Sequence, residues 1–325
     1  METFEITRLV LQKSLAFIYF IGFLIVLNQF KPLCGENGLL PARLFVKRIK
    51  FKQAPSIFFL NCSDGFFILM GWFGLLLSLF ALSGISQNFG WPLHLAVWIL
   101  LWAVYMSFIN VGQTFYGFGW ESLLLETGFL AIFLGPAEVQ APEIVMWMYR
   151  WLIFRVMFGA GLIKLRGDQC WRDLTCMDYH YLTQPVPNPF SWYWHKLPSW
   201  FQKFSVFSTH VVELIVPFML FLPAPFCYVG GLLTVGFQIT LIISGNLSWL
   251  NYITIVVCIP CFDDAFFQYF SNWGMYGAAP AGQIYMAVLA VLFFVIAIFS
   301  IRPILNLLSP QQAMNTSYDI LRIVN

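Results

Sequence analysis

The chain has 325 residues, of which 60% are hydrophobic, 19% aromatic and only 10% charged, with a mean hydropathy of +0.76. A soluble domain carries about 25% charged residues, so this composition excludes an ordinary cytosolic globule, a disordered chain and a collagen-like repeat. The formal net charge of +2 is too small to indicate a nucleic-acid partner. The composition instead predicts an all-α, polytopic bundle of transmembrane helices.

Hydrophobic runs long enough to cross a membrane recur along the chain. The first follows a segment with both acidic and basic residues and lacks a small-residue cleavage site, so we interpret it as an uncleaved helix rather than a signal peptide. Eight segments are predicted to span the membrane: 14–30, 66–86, 91–110, 145–165, 204–222, 226–244, 248–262 and 283–301. A ninth, 120–134, is short and contains Glu121 and Glu126, which predicts a re-entrant, interfacial or short crossing segment.

The loop after the first span is basic. It holds Lys31, Arg43, Lys47, Arg48, Lys50 and Lys52. By the positive-inside rule this loop belongs in the cytosol, which would place the N-terminus outside. An outside N-terminus with eight crossings and a cytosolic N-terminus with nine both place loop 166–203 and the tail after Arg302 on the luminal side.

Loop 166–203 is the most polar and irregular part of the chain. Its first part reads GDQCWRDLTCMDYHY, and alternating prolines then predict a stiff, extended segment. Trp192, Tyr193 and Lys196 follow, a mixture typical of a lipid headgroup boundary. The loop is either a client-binding surface or an interfacial loop that packs only on its own bundle. The candidate client-binding residues are Asp168, Cys170, Trp171, Arg172, Asp173, Cys176, Asp178, His180, Tyr181, Pro185, Pro187 and Pro189.

Two cysteines in this loop, Cys170 and Cys176, allow three interpretations. A local disulfide is favoured for a polar loop in an oxidising lumen. Free or exchanging thiols are the second interpretation, although a catalytic dithiol usually has C-x-x-C spacing. A zinc site is the third and would need His180 with Asp178 or His195. Cys258 and Cys261 have C-x-x-C spacing, but they end an apolar span and do not predict a redox centre.

Charged side chains within the apolar runs are costly and therefore candidate functional residues. They are Glu121, Glu126, Arg150, Arg155, Lys164, His210 and Glu213. Arginine–glutamate pairing between neighbouring helices, with Arg155 facing Glu126 first or Glu121 second, is favoured over a proton or ion path. His210 and Glu213 are three residues apart and can form an acid/base pair or a simple hydrogen bond.

No phosphate-binding glycine loop, zinc-protease motif, nucleophile elbow or dinucleotide fingerprint occurs in the sequence. The sequence thus gives no motif for a cofactor or metal, and we expect neither; the expectation that the chain is not an enzyme follows from the family resemblance given next. Among three sequons, Asn315 is the expected glycosylation site.

Four stretches of the chain resemble the lipase maturation factor family. They are WESLLLETGFL at 120–130, RWLIFR at 150–155, the stretch 159–189 and GNLS at 245–248; the loop motif follows the family's type 1 branch. The resemblance begins at about Leu9 and covers nearly the whole chain. It implies a multi-pass endoplasmic reticulum membrane protein that assists the folding of secreted homodimeric lipases such as lipoprotein lipase and hepatic lipase. It also implies a cytosolic N-terminus. This conflicts with the positive-inside rule, by which the basic first loop would place the N-terminus outside.

The resemblance predicts two regions, a helix bundle over 1–302 with loop 166–203 and the start of a luminal C-terminal domain over 303–325. Because the family continues into that domain, the chain is expected to be a fragment or short isoform. Two alternative functions remain. One is a membrane enzyme of the vitamin K-dependent carboxylase type, in which His210, Glu213, Lys164 and the intramembrane arginines serve a lipophilic cofactor. The other is a thiol-exchange factor acting through Cys170 and Cys176.

Overall fold

The computed structural model describes residues 3–270 and 278–308, and these residues are almost entirely helical. The α-helices of the described ranges are, in chain order, α1 (Glu5–Cys34), α2 (Ala42–Val46), α3 (Asp64–Ser83), α4 (Gly90–Val111), α5 (Gly119–Ala131), α6 (Glu143–Arg166), α7 (Gln169–Arg172), α8 (Met177–Thr183), α9 (Ser191–His195), α10 (Ser199–Leu214), α11 (Val216–Met219), α12 (Phe226–Ser244), α13 (Leu250–Cys258), α14 (Asp264–Phe270) and α15 (Gln283–Leu308). An isolated parallel bridge joins Val139 and Ala279. The predicted all-α class is confirmed.

Five of the described helices are long and apolar enough to cross a membrane: α1, α3, α4, α12 and α15. The stretch Leu250–Cys261 and helix α14 meet at a bend of 104° and make a sixth crossing if they form one broken span. The chain is therefore a multi-pass membrane protein.

The predicted count of eight or nine segments is higher than these five or six. Segment 145–165 forms the continuous helix α6, but the buried Arg150 and Arg155 lower its hydropathy. Segment 204–222 is broken near Ile215 into α10 and α11. Helix α10 has 16 residues, about 24 Å at 1.5 Å per residue, which is less than the roughly 30 Å of a hydrocarbon core. Segment 120–134 yields the 13-residue α5, as short as its sequence predicted.

The described chain divides into two compact units, residues 3–145 with 263–296 and residues 146–262 with 297–308. The first unit is organised around close packing of α1 on α3. Gly74 lies beneath the ring of Phe23 and leaves no room for a Cβ atom. The rings of Phe30, Phe67 and Phe108 continue this core, with Phe30 lying 4.8 Å from Phe67 and 4.9 Å from Phe108 between ring centroids, a separation at which aromatic pairs attract.

The N-terminal end of α1 is held by residues far along the chain. The Asp264 carboxylate accepts the backbone N–H groups of Glu5, Ile6 and Thr7 at 2.9, 2.8 and 3.1 Å. These donors have no partner inside a helix, and Phe4 at the N-cap position offers no side-chain cap. Arg8 donates to the carbonyl of Val139 at 2.5 Å. The first turn of α1 is thus completed by tertiary contacts.

In the second unit, α10 approaches α6 closely. A Cβ atom at Gly161 would lie 2.7 Å from Leu214 Cδ2, so the small residue permits this approach. Arg150 of α6 donates from Nε to the carbonyl of Pro260 at 2.9 Å. Helix α6 is therefore held on one side by close packing and on another by a buried hydrogen bond.

Candidate functional site

Loop 166–203 is folded into three short helices, α7, α8 and α9. Asp168 caps α7 by accepting the backbone N–H of Cys170 at 3.0 Å. A disulfide joins Cys170 and Cys176, with 4.8 Å between their Cα atoms, which is the pairing that their spacing favoured. The backbone N–H of Cys176 also donates to the carbonyl of Cys170 at 3.2 Å. The segment between the two cysteines is therefore closed into a tight turn.

The disulfide belongs to a small hydrophobic core of the loop. Cys170, Cys176, Met177 and Tyr181 are buried together with Val206 of α10. Three partly buried side chains pack against this group: Trp171, Leu174 and Trp194. Burial of apolar surface stabilises the loop on α10, so α10 serves as its platform.

A charged pair lies below this core. Lys164 Nζ donates to both carboxylate oxygens of Glu213, at 2.6 and 2.7 Å. The Glu213 side chain is 4% exposed and that of Lys164 is 23% exposed. Lys164 also lies over the ring of Trp171, 5.4 Å from its centroid, within the range of a cation–π interaction. No sequence pattern joined Lys164 to Glu213, which lies 49 residues away.

His210 joins this cluster through a hydrogen bond to the loop backbone rather than to Glu213, the partner that its spacing allowed. Its Nε2 donates to the backbone carbonyl of Trp171 at 3.0 Å. Both oxygens of Glu213 are bound by Lys164, so the hydrogen bonds of these two residues join loop to helix rather than His210 to Glu213. The cluster fixes the start of the loop to α6 and α10.

The proline segment is held at the far end of α12. Asn188 Nδ2 donates to the carbonyl of Ile242 at 2.8 Å, and Ser191 Oγ donates to that of Ser244 at 2.8 Å. Gln184 Oε1 accepts the backbone N–H of Asn246 at 3.2 Å. The sequence did not predict these hydrogen bonds. Its only indication was the polar side chains of Gln184, Asn188 and Ser191 within and beside the proline segment.

The predicted client-binding residues fall into two groups. Cys170, Cys176 and Tyr181 are buried, and Trp171 and His180 are half-buried, so these side chains shape the loop. The exposed or half-exposed members are Asp168, Arg172, Asp173, Asp178, Pro185, Pro187 and Pro189. Sequence reasoning did not select the exposed apolar side chains beside them. These are Tyr179, Leu182, Val186, Phe190, Trp192 and Tyr193, each between 47% and 67% exposed.

His180 lies in an environment that disfavours its charged form. Burial, together with the positive charge of Lys164, lowers the pKa of His180 below its ordinary value of 6.5. A histidine with a lowered pKa is neutral at pH 7.

The intramembrane charges lie in different surroundings. Glu121 is buried and accepts the hydroxyl of Tyr105 at 2.6 Å, whereas Arg150 bonds the carbonyl of Pro260. The pairing of Arg155 with Glu126 stays a prediction. Within the described residues, no group of three histidine, cysteine or acidic side chains is arranged to hold a metal ion. Asn315 and most of region 303–325 lie outside the described residues.

These features define a multi-pass membrane protein that carries a disulfide-closed, aromatic-rich loop. The lipase maturation factor transmembrane domain matches residues 6–269, and the chain therefore belongs to the lipase maturation factor family, which confirms the resemblance seen in its sequence. It is 44% identical to lipase maturation factor 1 of Mus musculus over 365 residues, which cover 99% of this chain and 62% of that protein.

The other relatives extend this picture. Lipase maturation factor 1 of Homo sapiens is 44% identical over 357 residues, covering 99% of this chain and 63% of that protein. Lipase maturation factor 2 of Xenopus tropicalis is 36% identical over 282 residues, covering 80% of this chain and 39% of that protein. The chain thus spans less than two thirds of the length of these relatives. No solved structure matches it.

Proposed function

We propose that this chain acts in the endoplasmic reticulum membrane as a non-enzymatic maturation factor for secreted homodimeric lipases, including lipoprotein lipase and hepatic lipase. The observation that supports this most is the match to proteins named lipase maturation factor 1 over 99% of the chain. The proposal places loop 166–203 in the lumen, where it meets lipases during their folding.

The surface of the loop suits a folding client. Exposed aromatic residues such as Trp192 and Tyr193, which are 54% and 67% exposed, lie on a frame held by the disulfide, the Lys164–Glu213 pair and the Asn188 anchor. An incompletely assembled lipase exposes apolar surface that its native dimer buries. Aromatic side chains on a rigid frame bind such surface with little loss of conformational entropy.

The two alternative functions have different support. The buried Glu213 and the half-buried Lys164 and His210 form the kind of titratable cluster found at catalytic sites, and this observation keeps the membrane enzyme as the second candidate. A thiol-exchange role is less well supported, because Cys170 and Cys176 are 7% and 5% exposed and exchange requires access for an attacking thiolate.

The test is secretion of active lipase from cells that lack their own maturation factor. Expression of this chain should raise the activity of secreted lipoprotein lipase per unit of lipase protein. The double variant Trp192→Ala/Tyr193→Ala should lose most of that gain at unchanged abundance. Phe89→Ala is the matched control, because Phe89 is 65% exposed and lies far along the sequence from the loop.

Three results would each contradict one part of the proposal: the maturation function, the role of the loop or the non-enzymatic mechanism. Failure of the unaltered, correctly localised chain to raise lipase activity would remove the maturation function. Equal loss in the Phe89→Ala control would remove the role of the loop. Full activity in the loop variant, with total loss in His210→Gln at normal abundance, would favour the membrane enzyme.

A further inference from the structure

The proline segment of the loop supplies hydrogen-bond donors to the end of α12. The last carbonyl groups of an α-helix have no partner inside the helix. In α12 the carbonyl of Ile242 accepts a hydrogen bond from Asn188 Nδ2 at 2.8 Å, and that of Ser244 accepts one from Ser191 Oγ at 2.8 Å. Two residues of the loop therefore cap α12 from outside the helix.

Asn188 caps a second helix at the same time. Its Oδ1 accepts the backbone N–H of Phe190 at 2.8 Å. Its backbone carbonyl accepts the N–H of Ser191, the first residue of α9, at 2.9 Å, and its own N–H donates to Ser191 Oγ at 3.1 Å. All four polar atoms of Asn188 are thus bonded, and they join the end of α12 to the start of α9.

Helix α9 depends on such anchors because it is short. It has five residues, whereas an isolated helix of fewer than about 12–15 residues is only marginally stable in water. The carbonyl of Trp194 near its other end accepts a hydrogen bond from Gln202 Nε2 of α10 at 2.7 Å. With both ends fixed, the side chain of Ser191 is buried, and those of Trp192 and Tyr193 are exposed.

An asparagine suits this double role because its side chain both donates and accepts hydrogen bonds. Aspartate would keep the acceptor, but it would place a negative charge against the carbonyl of Ile242, at the negative end of α12. Leucine has neither group. Pro187 and Pro189 have no N–H group to donate, so the residues on either side cannot replace these hydrogen bonds.

We propose that Asn188 is the positioning residue of the client-binding surface: it caps α12 and α9 together and thereby sets the direction in which Trp192 and Tyr193 face. Asn188 acts through these two side chains and does not itself contact a client. The inference rests on the proposed maturation function, which supplies the client. The hold of Asn188 on α9 can be measured without one.

The first test is hydrogen exchange of the backbone amides of residues 190–196 in the purified full chain. Asn188→Asp should speed this exchange by about tenfold at neutral pH, since a lost hydrogen bond and a repulsive charge together amount to about 1.4 kcal/mol. Asn246→Asp is the matched control. Asn246 Oδ1 accepts the backbone N–H of Ser248 at 3.1 Å, and aspartate keeps that acceptor, so this change should leave the exchange unaltered.

A pH series separates positioning by Asn188 from a general loss of stability. At about pH 4.5 part of the carboxyl introduced by Asn188→Asp is protonated and can again donate to the carbonyl of Ile242. The excess exchange of this variant over the unaltered chain should therefore fall between neutral pH and about pH 4.5. Asn188→Leu cannot regain a donor and should keep its full excess. An equal excess at both pH values in both variants would overturn the role of the donor.

The second test is the secretion of active lipase. At equal abundance, Asn188→Asp should lose most of the gain that the unaltered chain gives, as Trp192→Ala/Tyr193→Ala should. If Asn188→Asp does not accumulate, Ser191→Ala takes its place, because it removes the hydrogen bond to Ser244 and keeps the Asn188 side chain. It should lose a smaller part of the gain.

The two tests can fail separately. Unchanged exchange in Asn188→Asp would show that Asn188 does not hold α9. Full lipase activity in a chain whose exchange has risen would show that the direction of Trp192 and Tyr193 does not matter to clients. Either result would overturn the inference. An inactive unaltered chain would instead remove the proposed function, and the exchange would still decide whether Asn188 holds α9.

Discussion

Both carboxylate oxygens of Glu213 accept a hydrogen bond from the ammonium group of Lys164, at 2.6 and 2.7 Å. Because the Glu213 side chain is only 4% exposed, neither charge can be removed alone without leaving the other poorly solvated. The pair joins α6 to α10 directly beneath the loop that we propose to bind lipases. Its integrity should therefore govern both the abundance of the protein and the position of the loop.

Lys164→Met and Glu213→Leu should each lower the free energy of unfolding by about 3–5 kcal/mol, the usual effect of breaking a buried ion pair on one side. The double variant should recover much of that loss, since no unpaired charge remains. Thermal unfolding in detergent and steady-state abundance measure the effect. Lys31→Met is the control. The Lys31 side chain is 58% exposed and lies 3.6 Å from the Asp64 carboxylate, and such a loose ion pair with an exposed lysine should contribute less than about 1 kcal/mol. Additive single and double effects would contradict the pairing.

Loss of the disulfide should loosen the loop and leave the helix bundle intact. Cys170→Ser should reduce stability by only about 2–3 kcal/mol, because the closed loop is short. Limited proteolysis should then cut within loop 166–203 faster than in the unaltered chain. Cys62→Ser, a change at a free cysteine, should not alter the cleavage. Non-reduced peptide mapping should find Cys170 linked to Cys176, and two alkylated free thiols at these positions would contradict the prediction.

Acidification should destabilise the loop through His180. Its folded-state pKa lies below the ordinary value of 6.5, so below about pH 6.5 the unfolded chain binds a proton that the folded chain does not. Stability contributed by neutral His180 is thus present above that pH and is lost as the pH falls. Proteolysis of the loop should be faster at pH 5.5 than at pH 7.4, and His180→Gln should reduce this difference. An equal difference in the variant would assign the effect to other groups.

Packing of α1 on α3 should depend on the absence of a side chain at Gly74. Gly74→Ala forces the buried ring of Phe23 to move and should destabilise the first unit by about 1–3 kcal/mol, the usual effect of overpacking. The second change Phe23→Leu should restore part of the stability. Gly65→Ala is the control on the same helix, since a Cβ there meets nothing within 4 Å. Thermal unfolding of the four proteins decides between these outcomes.

Local features of the sequence predicted more than distant ones did. The length of the apolar runs was sufficient for the all-α membrane fold, and the spacing of Cys170 and Cys176 was sufficient to favour a disulfide. The number of spans was overestimated because hydropathy alone does not show that a run breaks near Ile215. The Lys164–Glu213 pair could not be predicted, because it depends on how two helices pack.

The candidate site in loop 166–203, like the fold, could be predicted only in part. The polar composition of loop 166–203 identified the region, but selecting its polar and cysteine residues included several that the structure buries. Exposure of Trp192 or Tyr193 depends on which face of α9 contacts α12 and α10. A sequence without periodicity carries little information about such a contact.

The cap that Asp264 provides for α1 can form only after Asp264 itself has been synthesised. The acceptor for the N–H of Glu5 lies 259 residues later in the chain, so a ribosome must translate that whole stretch before the acceptor exists. Until then the backbone N–H groups of Glu5, Ile6 and Thr7 lack this acceptor. Closure of this contact joins the start of α1 to a segment made 259 residues later, and it ties together the two separate stretches of chain that form the first unit.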